Sequence, residues 1–184
     1  MKKVYTKIFS ITMMAILSIM LILPCSVNAA TIEDNAVQPR WYDPTGSWPG
    51  YIFVTMDNNK SGWHYGHAGI GGNNGETIEA YSNTNVAIFS NGYNRNWSDC
   101  STGGIYRVNG ASTSQYETAK NWAYSQVGKE YDLSLLDGDS KFYCSELVYK
   151  AWKAAGITVG TNILGLITPE SIMNHNNTIL VYSF

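Results

Sequence analysis

The sequence predicts an α+β domain: one antiparallel sheet with a cysteine-bearing helix packed on it. Three observations predict it. Short β-rich runs, among them YIFVTM, HAGIG and TIEAY, are separated by turns rich in Gly and Asn. Two later stretches carry helix signals, and in the second Leu147, Val148, Ala151, Trp152 and Ala155 fall on one stripe. A last apolar run, TILVY, follows both helices.

Residues 30–49 contain Pro39, Pro44, Gly46 and Pro49 and read as an irregular lead-in. Tyr51 to Met56 is expected to be a central strand, followed by a polar turn over Asp57 to Gly62. His67 to Gly71 and Thr77 to Tyr81 read as two strands joined by the hairpin-type turn GGNNGE. Asn85 to Phe89 and Gly104 to Val108 are further short strands. Ser112 or Ser114 caps a helix running to about Val127, ended by Gly128. Residues 129–142 form a loop. Cys144 to Ala155 is the second helix, stopped by Gly156. Thr168-Pro169-Glu170-Ser171 opens a helical turn, and Thr178 to Tyr182 is the last strand.

The N-terminus has a different character. Lys2, Lys3 and Lys7 precede an uncharged run from Ile8 to Leu23, then Pro24 and the small-residue end Val27-Asn28-Ala29-Ala30. This is the layout of a secretory signal peptide, taken here as residues 1–29, with cleavage after Ala29 or Ala30. The competing reading is an uncleaved anchor, but the run is shorter than the roughly 20 residues a span needs. A lipoprotein site at Cys25 is disfavoured by Pro24. Removal of 1–29 leaves residues 30–184, of single-domain size, with residues 50–184 as the folded unit. The expectation is a secreted or cell-wall-associated monomer with no stable membrane insertion. The net charge of −2, the loss of three lysines with the leader and the absence of a basic run argue against nucleic acid as a partner. No internal repeat is visible.

Of three cysteines, Cys25 leaves with the leader and Cys100 and Cys144 remain. In an oxidising compartment a Cys100–Cys144 disulfide is the structural alternative to a reactive thiol. Cys144 nevertheless stands at a helix N-terminus, where backbone N–H groups lower a thiol pKa and can hold an oxyanion. A nucleophile there needs a base, and the chain offers His64, His67 and His175. His67 opens one strand of the hairpin, and Glu79, twelve residues on, lies on the other, within reach for a carboxylate to orient an imidazole.

Three segments together carry a resemblance: Gly66-His67-Ala68-Gly69-Ile70, Thr77-Ile78-Glu79-Ala80, and Tyr143-Cys144-Ser145-Glu146-Leu147-Val148. They resemble the circularly permuted papain-like amidases, the YiiX-like branch of the NlpC-type cysteine hydrolases, related in layout to lecithin retinol acyltransferase. In that branch the histidine and its polar partner precede the cysteine, as here. The resemblance spans roughly Gly50 to Phe184 and extends to Thr168-Pro169-Glu170-Ser171-Ile172, similar to a late Thr-Pro turn of the family. One departure is Gly50-Tyr51, where the family often has Gly-Asp. The resemblance implies a permuted papain-like (NlpC-like) fold and a catalytic set of Cys144 as nucleophile, His67 as base and Glu79 as orienter. Tyr131 resembles the tyrosine that polarises the carbonyl. The implied reaction is attack on an amide or ester carbonyl, with peptidoglycan peptides as the natural target of an exported enzyme and N-acyl amides or lipid esters as the competing substrates. No metal or organic cofactor is implied. The alternative is a non-catalytic cell-wall or acyl-binding module of the same fold, with its thiol locked or idle.

Other features have plainer readings. His64 and His67 lack a second ligand cluster, so no metal site is expected. His64 is read as a cleft-rim residue and His175 as solvent-exposed. Gly71-Gly72-Asn73-Asn74-Gly75 lacks the Lys-Ser/Thr and helix of a phosphate loop and reads as a turn. Of six Trp and 13 Tyr, most are expected to pack in the core or lead-in, and some, such as Trp41, Trp48, Trp63 and Trp97, are candidates to line a sugar or peptide groove. Cys100, in a polar loop, is expected to be a surface thiol or a disulfide partner.

Overall fold

The computed structural model describes residues 44–57, 65–132, 134 and 139–184. Six strands form one antiparallel sheet: β1 (Ile52–Thr55), β2 (His67–Gly71), β3 (Thr77–Tyr81), β4 (Asn85–Phe89), β5 (Gly104–Val108) and β6 (Thr178–Ser183). Their spatial order is β4-β3-β2-β1-β5-β6, which puts β1 and β2 at the centre. Both central strands are buried along their whole length, so the middle of the sheet is covered on both faces. The β2–β3 turn is closed by Asn74 (φ 50°) and Gly75 (φ 79°). Two successive positive φ values match the right-handed twist of a hairpin, which is why Asn-Gly occupies that tip.

Three α-helices lie between β5 and β6 among the described residues: α1 (Thr113–Tyr124), α2 (Cys144–Ala154) and α3 (Pro169–Met173). Ser112 caps α1 through a capping box with Gln115. This helix ends at Tyr124, before the expected Val127, because Gln126 N–H and Val127 N–H bond back only three residues, to Ala123 O and Tyr124 O. Tyr116 fixes α1 to the end of β5: its hydroxyl accepts the Val108 N–H at 2.8 Å and donates to Val108 O at 3.2 Å.

Leu147, Val148, Ala151 and Trp152 of the apolar stripe are each at zero exposure, whereas Ala155, the C-cap just past α2, is half-buried. Burying side chains of this size stabilises by about 1.5–3 kcal/mol each, smaller for Ala. The helix packs on β2, β3 and α1. Trp152 packs edge-on against Tyr116 (centroids 4.9 Å apart) and donates its indole N–H to Gly50 O at 3.2 Å. In the loop before α2, Tyr131 and Phe142 form a parallel bridge, with Phe142 N–H bonded to Glu130 O and Asp132 N–H to Phe142 O. That bridge sets the point where the chain enters the helix. Among the described residues no helix is long and apolar enough to cross a membrane.

Candidate active site

Cys144 is the first residue of α2 and is 5% exposed. The residue before it, Tyr143, is extended (φ −90°, ψ 167°) and offers no side-chain cap. Two contacts seat this helix start on the segment leading into α3: Ser145 Oγ donates to Ile167 O at 2.8 Å, and Tyr143 Oη accepts the Ile167 N–H at 2.9 Å. The backbone N–H groups of Ala68, on β2, and Ser145, on α2, face the sulfur.

The register of β2 and β3 explains the histidine. Glu79 pairs with Gly69, not with His67. Side chains two residues apart share a face of a strand, so His67 is the diagonal neighbour of Glu79, and the position between them carries no side chain. A Cβ on Gly69 would lie 2.8 Å from Glu79 Cγ and 3.1 Å from Trp97 Cζ2. Glu79 leans across this vacancy to His67, giving an Nε2···Oε2 distance of 2.8 Å with both side chains fully buried. A carboxylate only accepts, so Nε2 carries the proton. His67 Nδ1 is also buried, and its neighbour is the Cys144 thiol. Trp97 (centroids 5.3 Å, 23°) and Tyr81 (4.3 Å, 40°) pack against the imidazole.

Electrostatics couple the three groups. Burial alone would push a proton off His67, but the hydrogen bonds and negative charge of Cys144 and Glu79 outweigh it and raise the ring to about 9. Burial likewise opposes a thiolate at Cys144. The His67 hydrogen bond and charge, with the Ala68 and Ser145 N–H groups, overcome that and lower the thiol. Glu79 is held below the usual carboxylate range: burial is overridden by His67, Thr77 and Asn96. The arrangement favours a thiolate facing an imidazolium.

A cavity of about 400 Å³ opens on Cys144. Its wall is mostly apolar: Tyr65, Tyr131, Tyr143, Leu166, Ile167 and Pro169, with Gly66, Ser145 and Thr168. Tyr131 thus shares the cavity with the thiol, and burial, with the nearby Cys144 charge, drives its phenol well above the ordinary value.

Other expectations need correction. Cys100 is buried and not at the surface, with Sγ directed at Asn96 O at 3.8 Å. Trp48 and Trp97 belong to the core, not to a groove wall; Trp41, Trp63 and His64 lie outside the described residues. His175 is half-buried, its Nδ1 accepting the Asn177 N–H at 3.1 Å. Residues 1–43, which hold the expected leader and most of the lead-in, also lie outside the described residues.

A family model described as permuted papain-like amidase enzyme, YaeF/YiiX, C92 family, matches residues 54–177. The chain belongs to the permuted papain-like amidases. This amidase is therefore a cysteine hydrolase by family, and its α+β architecture is the family's permuted papain-like fold. A crystal structure of metalloprotein yiiX from Escherichia coli O157:H7 superposes with a TM-score of 0.58 at 17% identity, covering 75% of this chain and 98% of that one. "Metalloprotein" describes that protein. Among the described residues of this amidase, no group of three or more His, Cys, Asp or Glu side chains is placed to hold a metal ion. No curated protein matches by sequence.

Proposed function

We propose that this amidase is exported and cleaves an amide bond in a cell-wall peptide or related acyl amide through Cys144, His67 and Glu79. The observation that carries the reading is the fully buried His67–Glu79 pair beside a cysteine at a helix N-terminus that opens into a cavity. In the proposed reaction the Cys144 thiolate attacks the carbonyl carbon and forms a carbon–sulfur bond. The oxyanion is met by the Cys144 N–H and Tyr131. His67, carrying the thiol proton, returns it to the departing amine as the C–N bond breaks. Water then attacks the thioester, His67 takes its proton, the acid leaves and the thiol is restored. Glu79 holds the Nε2–H and stabilises the imidazolium. The scheme calls for no cofactor. The basic, apolar and small-residue order of residues 1–29 supports export.

The apolar wall supports a second substrate reading within the same chemistry, an N-acyl amide or lipid ester whose acyl chain fills the cavity. A screen of muropeptides against N-acyl amides and esters of graded chain length separates the two.

The pH dependence follows from the coupled pair. The lowered thiol is ionised below the ordinary range, whereas His67 stays protonated until about pH 9 and loses its charge as pH rises through that value. The ion pair exists between those limits, so kcat/KM should be bell-shaped with its alkaline limb near pH 9. Iodoacetamide should alkylate Cys144 well below the ordinary thiol pKa of about 8.5, and His67→Ala should abolish that low-pH reactivity. A Cys144 that titrates like an ordinary thiol in both proteins rules the mechanism out.

A further inference from the structure

Several donors converge on the Glu79 carboxylate, on both of its oxygens, with the Tyr81 hydroxyl also beside it. Oε2 accepts the His67 N–H. Oε1 accepts from Thr77 Oγ1, from Asn96 Nδ2 at 3.1 Å and from Trp97 Nε1 at 3.0 Å. Asn96 and Trp97 come from outside the sheet, on a single π-helical turn spanning Tyr93–Trp97. Trp97 is fully buried, lies nearly parallel to the imidazole and borders the vacancy at Gly69. An indole N–H donates and never accepts. It therefore favours a carboxylate in its charged form.

We propose that Trp97, assisted by Asn96, is a positioning residue of the amidase: it pins Glu79 Oε1 so that Oε2 alone meets His67, and it keeps the buried carboxylate ionised. The inference rests on the triad reading and deepens it. A carboxylate with no water around it is driven toward its neutral form. A neutral Glu79 would no longer stabilise the imidazolium, and the thiolate that the imidazolium supports would take back its proton. Glu79 lies below the usual range despite complete burial, with His67, Thr77 and Asn96 as the groups that hold it there, and the Trp97 N–H adds a donor to Oε1. A purely structural role is the competing account, since Trp97 also packs on Phe53 (5.4 Å) and Phe184 (5.8 Å). Packing alone predicts lost stability without any change in how Cys144 titrates.

The two accounts are separated by the rate of Cys144 alkylation by iodoacetamide against pH, followed at the Cys144 peptide by mass spectrometry in the whole protein. Trp97→Phe keeps an aromatic ring and removes the N–H. It should raise the apparent pKa of the thiol by about one unit, a roughly tenfold slower reaction on the acid side. Asn96→Ala, at the partly exposed end of the network, should shift it the same way by less. Trp48→Phe, a core substitution off the site, should lower the melting temperature and leave the profile in place. A Trp97→Phe profile that superimposes on a low-pKa wild-type profile overturns the inference and spares the triad. A wild-type thiol that titrates ordinarily removes the triad reading and this one with it. If Trp97→Phe does not fold, Asn96→Ala decides: a shifted profile supports the positioning role, and an unshifted one overturns it.

Discussion

The N-termini of α1 and α2 solve the same problem in opposite ways. Both begin with backbone N–H groups that lack intrahelical acceptors. At α1, Ser112 and Gln115 close a reciprocal box, the Ser112 oxygen accepting the Gln115 N–H and the Gln115 side chain accepting the Ser112 N–H. At α2 the capping position is Tyr143, whose hydroxyl is turned away to Ile167, and no side chain caps the helix. The Ser145 N–H faces the Cys144 sulfur instead. One end uses its donors for stability, whereas the other keeps positive potential available where negative charge forms. Even α3 carries a capping box, through Thr168 and Ser171, so α2 is the exception among the three α-helices.

This contrast predicts that substitutions at the two ends separate activity from stability. The largest effect is expected for Cys144→Ala: turnover falls by at least about 10⁴-fold, while thermal unfolding shows a protein that still folds. A variant retaining activity would mean that the uncapped end is not the reactive one. Next comes Tyr131→Phe, which keeps the cavity wall but removes its hydroxyl. A kcat reduced by about 10²-fold with little change in KM is expected if the phenol meets the oxyanion, and steady-state kinetics would expose a change confined to KM. The smallest effect belongs to the capped end. Ser112→Ala should cost about 1 kcal/mol in denaturant unfolding and leave kcat/KM unaltered. A Ser112→Ala protein that loses activity without losing stability would erase the distinction.

How much of this could be read beforehand depended on the range of each signal. Strand bounds at His67–Gly71 and Thr77–Tyr81, the Asn74-Gly75 tip, the Ser112 cap and the start of α2 at Cys144 are set by residues within a few positions of one another. The order His67, Glu79, Cys144 and the position of Tyr131 were legible from short motifs. The diagonal relation of His67 to Glu79 was not, because register depends on how the whole hairpin closes. Which of the tryptophans turn inward was not legible at Trp97, whose neighbours Asn94 and Arg95 are polar and exposed. The Ser98 N–H bonds to Tyr93 O, five residues back, and that wider turn leaves the indole inside. Burial of Cys100 follows from the same turn, since its sulfur lies against Asn96 O. Long-range closure of this kind leaves no periodic trace in the sequence.

Gly69 works by omission. Substitution surveys commonly replace each side chain by alanine and read a loss as a contribution removed. At position 69 that operation adds a methyl group, into a space already claimed by Glu79 Cγ and Trp97 Cζ2. The variant would damage the site by an intrusion, and its phenotype would resemble that of a lost reactive group although no such group was touched. Grafting this site onto another sheet therefore means transplanting an empty position along with the three side chains around it.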